Sequence, residues 1–312
     1  MRGIKVLIFC CFAALSTASL AQRDFSQVEI TTHRLADNLY YLKGAGGNIG
    51  MLVGEDGVFL IDDQFAPLTE KILAAISAVT DQPVRFVFNT HHHGDHTGGN
   101  QNLGKAGAVI VAHENVRVLL IKGIEGLLEE WAHQRRSPRG DIDQLLTADQ
   151  RAGLPVLTYK DSVHFHLNGE NIHAFYNGPG HTSGDSFVHF QNANVIHTGD
   201  VFRTTGYPFV DGKASGSFLG ILASYEMLLE ISNPDTVFLP GHGVPSGQDD
   251  IREQLEMLYT IRDRVKTGIN DGLSLERIQS TNPTAEYDDR WAGGKVKGPD
   301  LVKVVYNELI YK

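Results

Sequence analysis

Histidine and aspartate residues are concentrated in one short stretch of the chain, residues 90–100, with the sequence THHHGDHTGGN. Four side chains that commonly bind metals fall within six residues of it: His91, His93, Asp95 and His96. Imidazole and carboxylate donors together suit a borderline divalent ion such as zinc. So tight a cluster can hardly direct all four groups at one ion. The pattern therefore predicts that they are divided between two adjacent ions.

The residues before this stretch determine where the histidines lie. Residues 84–89 are apolar, rich in Val and Phe, and follow Pro83, so they predict a buried β-strand. The histidines then belong to the loop that leaves the end of this strand. Gly94, Gly98 and Gly99 allow that loop to bend tightly. A polar surface loop is the alternative interpretation, and the preceding core strand argues against it.

The His-x-His-x-Asp-His pattern resembles the signature of the metallo-β-lactamase fold hydrolases. That superfamily includes β-lactamases, glyoxalase II, lactonases, ribonucleases and esterase-like enzymes. The resemblance extends to three later residues that each follow a predicted strand: His181 in Gly-Pro-Gly-His-Thr, Asp200 in His-Thr-Gly-Asp and His242 in Pro-Gly-His-Gly. It implies an α/β fold, a four-layer αββα sandwich with two sheets face to face and helices outside.

The resemblance also implies a dinuclear metal site. One ion would be held by three histidines, and the other by Asp95 and two histidines, with a shared aspartate. The implied sets are His91, His93 and His181, then Asp95, His96 and His242, with Asp200 bridging. The cofactors would be two divalent ions, with zinc expected and iron or manganese as alternatives. Ions about 3.5 Å apart share a water and lower its pKa, and the bridging hydroxide then attacks a carbonyl.

Some neighbouring residues are given roles by the same resemblance. Asp95 would accept a hydrogen bond from the hydroxide and aim it, which makes it the catalytic candidate. Asp62, directly after a strand predicted at residues 58–61, matches an aspartate that braces the metal loops, although a turn or cap role is equally open. The loop at residues 202–217 would contact substrate or serve only as a connector.

The other histidines lack a motif. Alternation along the loop should turn His92 away from the ions. His164 and His166 are expected on the polar outer face of a strand predicted at residues 162–167. Ordinary polar positions are expected for His33, His113, His133, His173, His189 and His197.

The first 21 residues have the layout of a secretory signal peptide. Arg2 and Lys5 precede an apolar run at residues 6–15, and small residues follow up to Ala21. We therefore expect a leader at 1–21, a single hydrolase domain at 22–312, and a periplasmic or secreted protein. A retained anchor is the alternative, but the apolar run is short for a membrane span.

Composition restricts the partners. The chain of 312 residues has 27 basic and 37 acidic side chains and a net charge of −10, which disfavours nucleic acid and anionic membranes. Both cysteines, Cys10 and Cys11, fall in the predicted leader, so the mature protein has neither a disulfide nor a thiolate ligand. A small-molecule carbonyl compound is the expected partner.

Three functional classes remain open at this stage. The first is a periplasmic zinc hydrolase of cyclic or activated carbonyls, with a β-lactam as the named substrate. The second is a lactonase, thioesterase or other esterase-like hydrolase, which the bridging Asp200 favours because β-lactamase subclasses usually have cysteine or serine there. The third is a phosphodiesterase or nuclease, which the acidic balance disfavours. A non-enzymatic metal-binding protein would not need the complete ligand set.

The leader generates the first testable prediction. Protein recovered from the host envelope should begin at Gln22 or within a few residues of it, because cleavage is expected after Ala21. Amino-terminal sequencing of the exported protein measures this. Recovery of only full-length protein from the cytoplasm would contradict both the cleavage and the export.

Overall fold

Two β-sheets make up the centre of the molecule. The computed structural model describes residues 24–124 and 144–311. The first sheet has seven strands in chain order: β1 Thr31–Arg34, β2 Leu39–Lys43, β3 Ile49–Leu52, β4 Val58–Ile61, β5 Val84–Asn89, β6 Val109–His113 and β7 Leu157–Tyr159. The second has five, in the spatial order β12 Val237–Pro240, β11 Val195–Gly199, β10 Ser186–Phe190, β9 Glu170–Tyr176 and β8 Ser162–Leu167.

Strand direction determines where the connecting loops meet. In the first sheet β1 to β4 pair antiparallel, whereas β4, β5, β6 and β7 pair in parallel. In the second sheet β11 and β12 are parallel, and β9 runs in the same direction as β11 because both are antiparallel to β10. Parallel strands end at the same edge of a sheet, so the loops after them lie together.

Helices cover the outer faces of both sheets. Their bounds are α1 Thr69–Ser77, α2 Gly94–Thr97, α3 Asn100–Lys105, α4 Glu114–Lys122, α5 Ala148–Ala152, α6 Phe218–Ile231, α7 Gln248–Asn270, α8 Leu275–Ser280, α9 Ala285–Trp291 and α10 Gly298–Tyr311. Ile72 and Ile76 of α1 pack on the first sheet. Tyr225 of α6 and Ile261 of α7 pack in the cluster that covers the second. The predicted four-layer αββα sandwich is therefore confirmed.

The space between the sheets is filled by aromatic and branched side chains. Phe59 and Phe88 of the first sheet meet Phe165 of the second, and the Phe59 and Phe165 ring centroids are 4.9 Å apart. Strand β4 is buried on both faces, which explains why its sequence VFLI is a continuous apolar run rather than an alternating one. This rigid core positions the strand ends from which the site is built.

Most predicted elements agree with the structure. The strands at 58–61, 84–89 and 162–167 and a helix at 218–231 have the predicted bounds. The sequence patterns do not predict β10, because Ser186 and His189 interrupt its apolar run, or the short helix α9. The predicted leader at 1–21 and a helix predicted at 125–136 lie outside the described residues. Within the described ranges, the structure has no helix long and apolar enough to cross a membrane.

The long loop between β11 and α6 is supported from behind by α9. Tyr207 is buried, and its backbone N–H donates to the Trp291 carbonyl over 3.0 Å. Its hydroxyl donates to Asp288 Oδ1 over 2.9 Å. Gly206 has a φ of 112° and lies so close to the Trp291 carbonyl that a Cβ would collide with it. The carboxyl-terminal helices therefore determine the course of this loop.

The second prediction concerns this support. Tyr207→Phe should lower the free energy of unfolding by about 1 kcal/mol, because the ring stays packed while Asp288 loses a donor. Chemical denaturation measures the change. Tyr306→Phe, which alters a half-buried ring of α10, serves as the control and should stay within about 0.5 kcal/mol of the wild type. Equal stability of the wild type and Tyr207→Phe would show that this hydrogen bond does not stabilise the loop.

Candidate metal centre

The predicted ligands all lie at one edge of the sandwich. The loop after β5 carries four of them, and the loops after β9, β11 and β12 carry one each. The residues come from four separate segments: His91, His93, Asp95 and His96; His181; Asp200; and His242. The structure brings all seven together in three overlapping groups, and within each group the candidate ligand atoms lie within 4.8 Å of one another. We call His91, His93 and His181 the first group, and Asp95, His96 and His242 the second group. His91, His96 and Asp200 form the group that overlaps both.

Three imidazoles form the first group. His93 Nδ1 lies 3.2 Å from His91 Nε2 and 2.9 Å from His181 Nε2. The opposite nitrogen of each ring contacts an oxygen: His91 Nδ1 lies 3.0 Å from Thr90 Oγ1, His93 Nε2 3.0 Å from Asp211 Oδ2 and His181 Nδ1 2.6 Å from the Phe209 carbonyl. These outer contacts determine which nitrogen carries the proton.

The tautomers that follow leave lone pairs facing one another. A carbonyl or carboxylate oxygen only accepts, so His181 holds its proton on Nδ1 and His93 holds its proton on Nε2. His93 Nδ1 and His181 Nε2 then lie 2.9 Å apart with no proton between them. Two lone pairs at this distance repel unless a cation accepts both. The first group therefore fits a metal ion.

The second group combines carboxylates and imidazoles. Asp95 Oδ2 lies 3.1 Å from His242 Nε2 and 3.8 Å from His96 Nε2. His96 Nδ1 donates to Asp62 Oδ2 over 2.7 Å, so its Nε2 is directed into the site. That Nε2 is buried without a hydrogen-bond partner, as is Asp200 Oδ1. Buried atoms without partners in a set of nitrogen and oxygen donors are what a second cation site requires.

Asp200 lies between the two groups. Its Oδ1 is 3.3 Å from His96 Nε2, while its Oδ2 is 3.4 Å from His242 Nε2 and 3.8 Å from His181 Nε2. The carboxylate thus reaches nitrogens of both groups, as a bridging ligand would. Gly241 makes this approach feasible, because a Cβ at that position would overlap Asp200 Oδ1.

Burial and neighbouring charges determine the protonation of these groups. Burial lowers the pKa of His91 well below 6.5 and that of His181 to about 4, so both rings are neutral. Burial alone would raise the pKa of Asp200, but the imidazoles, His96 foremost, hold it well below its usual value. Burial is likewise outweighed at His96, where Asp200 and Asp62 raise the pKa well above 6.5. The second group therefore stabilises positive charge at this nitrogen.

Asp62 braces two of the ligand loops, as one of its two predicted roles requires. Its carboxylate accepts from the Thr90 backbone N–H and hydroxyl, each over 2.8 Å, as well as from His96. Asp62 has a φ of 64°, which strains a non-glycine residue and is held here by these bonds. Gly47, in the loop between β2 and β3, packs against His96 so closely that a Cβ would overlap the ring.

Several supporting residues escape sequence reasoning. His197 is buried and its Nε2 contacts the Asn48 carbonyl over 3.1 Å, so it is not an ordinary polar position. Asn48 Nδ2 in turn donates to the Pro240 and Gly243 carbonyls on either side of His242. The only available signal was the position of His197 within His-Thr-Gly-Asp. Long-range hydrogen bonds of this kind leave no pattern in the sequence.

The histidines outside the ligand set differ in their exposure and contacts. His164 and His166 lie on the exposed outer face of β8, as expected. His113 caps α4 and stacks on Tyr176 with ring centroids 4.1 Å apart. His92 belongs to neither ligand group, although its ring lies 4.5 Å from that of His93.

A cavity of about 340 Å³ opens onto the two groups. Phe65 and Phe209 provide apolar walls, and Arg203 and Lys295 bring positive charge. Lys295 Nζ lies 3.8 Å from the centre of the Phe209 ring, and Arg203 Nε is buried without a hydrogen-bond partner. Together with a metal pair, these residues would bind a small anionic molecule.

Comparisons with known proteins agree with the fold and the ligand clusters. A metallo-β-lactamase from Pontibacter korlensis has 18% identity and a TM-score of 0.57, and the match covers 75% of this chain and 99% of that one. The DIM-1 metallo-β-lactamase has 16% identity, with the same TM-score and coverage. A double mutant of the sec-alkyl sulfatase PisA1 has 17% identity and a TM-score of 0.65, and the match covers 90% of this chain and 50% of that one.

At these identities the structural similarity establishes the fold alone. The family is established by a protein-family model, described as the metallo-beta-lactamase superfamily, which matches residues 42–242. This range contains all seven ligand candidates and the four strands that precede them, β5, β9, β11 and β12. The chain therefore belongs to the metallo-β-lactamase superfamily, whose members are generally metal-dependent hydrolases.

Proposed function

We propose that this protein is a dinuclear metal hydrolase that opens a small cyclic carbonyl compound, with a β-lactam as the named substrate. The observation that carries the proposal is the pair of unprotonated nitrogens, His93 Nδ1 and His181 Nε2, 2.9 Å apart beside a second donor group that shares Asp200. A cation in the first group would accept both lone pairs, and we place a second ion in the group of Asp95, His96 and His242. Two ions on one carboxylate supply a water of lowered pKa and polarise a carbonyl.

Zinc is the proposed metal. The donors are imidazole and carboxylate without a thiolate, and the first group offers three nitrogens, which suits tetrahedral zinc with one open position. Iron and manganese accept similar donors and are alternatives that metal analysis separates. The proposed assignment follows the predicted sets, with Asp200 as the shared ligand.

Asp95 is proposed as the catalytic residue of this chain. It lines the cavity, and its carboxylate is partly exposed while Asp200 is buried. Its interactions with His242 and His96 lower its pKa to about 2 against the effect of burial, so it is ionised at neutral pH. An ionised carboxylate facing the cavity can accept a hydrogen bond from the attacking water and thereby orient it.

The cavity favours a substrate that carries an anionic group. Arg203 and Lys295 line it and offset the carboxylates of Asp95 and Asp200 there, in a chain whose net charge is −10. The apolar rings of Phe65 and Phe209 would contact the rest of the molecule. A bicyclic β-lactam acid combines an anion, an apolar body and a strained amide. Ring opening relieves that strain, which favours it over an ordinary amide.

Lactone, thioester and other ester hydrolysis form the second candidate function. A carboxylate at Asp200, where one β-lactamase subclass has a neutral serine, adds negative charge beside the second ion and makes it a weaker Lewis acid. This favours electrophiles with better leaving groups than an amide. The sulfatase among the structural neighbours indicates that the fold also accommodates sulfate esters. Phosphodiester cleavage and metal binding without catalysis are the remaining outcomes of a substrate screen.

Export belongs to the proposal as well. The basic, apolar and small-residue order of residues 1–21 supports a periplasmic or secreted location, the compartment of cell-wall synthesis in bacteria. The acidic charge balance supports a small-molecule partner rather than nucleic acid.

The third prediction concerns metal content. Zinc-saturated protein should contain two ions per chain. Asp200→Asn should retain about one, because the shared ligand is lost while the shape is nearly unchanged, and turnover should fall by more than the roughly 10–100-fold that loss of an outer-shell partner costs. Atomic absorption and steady-state kinetics measure both. Asp235→Asn, on an exposed turn, is the matched control. One ion per chain in saturated wild-type protein would contradict the dinuclear assignment.

The fourth prediction concerns substrate class. A β-lactam, an acyl-homoserine lactone, a thioester, a sulfate ester and a phosphodiester should be compared on one zinc-loaded preparation. We expect measurable but modest β-lactam hydrolysis, lactone or ester cleavage at least as fast, and loss of both with a chelator. Rapid β-lactam turnover without any ester cleavage would contradict the argument from Asp200. Cleavage of the phosphodiester alone would refute the proposed carbonyl chemistry.

A further inference from the structure

One segment of the chain, residues 209–216, contacts two of the three histidines in the first group. Asp211 Oδ2 accepts from His93 Nε2 over 3.0 Å, and the Phe209 carbonyl accepts from His181 Nδ1 over 2.6 Å. The Asp211 backbone N–H also donates to the His181 carbonyl over 2.9 Å. Residues 209–216 are therefore not a connector, and Asp211 faces a ligand rather than open cavity.

The carboxylate that contacts His93 also folds its own segment. Asp211 Oδ1 accepts from the backbone N–H of Lys213 over 2.9 Å and of Ala214 over 3.3 Å. The Gly216 N–H donates to the Asp211 carbonyl over 2.9 Å, which closes the turn. One oxygen of Asp211 thus stabilises the turn while the other orients an imidazole. The two roles cannot change independently, because both oxygens belong to one planar group.

We propose that Asp211 is a positioning residue that selects Nδ1 of His93 as its ligand atom, and that it thereby couples ion binding in the three-histidine group to the order of residues 209–216. The inference rests on the proposed metal centre. A carboxylate can only accept, so Nε2 of His93 keeps its proton and the lone pair of Nδ1 is directed at the ion. The neighbouring ligands His91 and His181 present Nε2 instead.

A competing assignment uses the same atoms. His92, His93 and Asp211 also form a group within 4.8 Å, which would make Asp211 and His93 Nε2 ligands of a third ion. The hydrogen bonds argue against it, because Asp211 already contacts the protonated nitrogen of His93 and two backbone N–H groups. The stoichiometry of the ions distinguishes the two assignments.

Asp211→Asn tests the selection directly. The amide oxygen can keep accepting from Lys213 and Ala214, while the amide nitrogen then presents a donor to His93 Nε2. This reverses the polarity of one contact, and the tautomer of His93 should change so that Nδ1 carries a proton. Affinity for the zinc ion of the three-histidine group should fall about 10–100-fold, the range for loss of an outer-shell partner. Affinity for the ion held by Asp95, His96 and His242 should stay within about twofold of the wild type.

The measurements separate this role from a purely structural one. Competition with a chromophoric chelator gives the two zinc affinities, and proton NMR of the cobalt-substituted protein identifies which His93 nitrogen carries a proton. Asp81→Asn, which removes one exposed carboxylate after α1, is the control and should change neither. Hydrogen exchange at residues 209–216 should slow on zinc binding in the wild type, and should respond much less in Asp211→Ala.

The results also distinguish failure of the inference from failure of the metal centre. Wild-type protein that binds no ion would refute the metal centre itself. Two ions bound with unchanged affinity and an unchanged His93 tautomer in Asp211→Asn would refute only the role of Asp211. A third ion that is lost in this variant would also overturn it, because His93 Nε2 would then be a ligand. A variant that fails to fold would lose both ions. Unchanged affinity for the ion held by Asp95, His96 and His242 therefore shows that Asp211→Asn is folded.

Discussion

The central constraint of this structure is the electrostatic balance of the metal centre. His93 Nδ1 lies within 3.2 Å of both His91 Nε2 and His181 Nε2, and the carboxylates of Asp95 and Asp200 approach the imidazoles of His242 and His96. In a buried site, such groups repel or remain unsatisfied unless cations compensate them. The hydrogen bonds around the centre agree with this requirement. Those of His93, His96 and His181 each place an imidazole proton on the nitrogen that faces away from the centre.

The sandwich supplies what this balance requires, which is rigid delivery of side chains from distant segments. The packed core holds β4, β5, β9, β11 and β12, and the ligand loops begin where β5, β9, β11 and β12 end. Asp62 then joins the end of β4 to Thr90 and His96 in the loop after β5. Asn48 joins the first sheet to the Pro240 and Gly243 carbonyls around His242. These hydrogen bonds join ligands on separate loops into one site.

The segment between β11 and α6 serves two purposes at once. On one side it orients His93 and His181, and on the other it provides Phe209 and Arg203 to the cavity. The carboxyl-terminal helices support it through Tyr207, and the residues after α9 add Lys295. Metal geometry and substrate contact therefore depend on the same support. A change in this region should therefore alter both the proposed first ion's affinity and the proposed recognition of an anionic substrate.

Local pattern was sufficient to predict the ligands and much of the scaffold. The His-x-His-x-Asp-His stretch concentrates its donors within six residues, and the apolar runs before it and before His242 have the composition of buried strands. Strands such as β5 and helices such as α6 therefore have their predicted bounds. The shorter β10 was missed because its polar residues lie in a central strand, where burial comes from neighbours rather than from its own sequence.

The orientation of the donors depends on contacts between residues far apart in the chain. Asp211 lies 118 residues from the histidine it contacts, and His197 lies 149 residues from Asn48. Which nitrogen of an imidazole carries the proton depends on such partners, and the sequence has no periodicity that relates them. The same is true of Arg203 and Lys295, whose meeting at one cavity follows from the packing of α9 behind a loop. The residue types and their spacing in the sequence therefore identify the side chains that could bind metal. Which atom of each side chain faces the metal site follows from the fold, because the tautomer and charge of an imidazole depend on its neighbours in three dimensions.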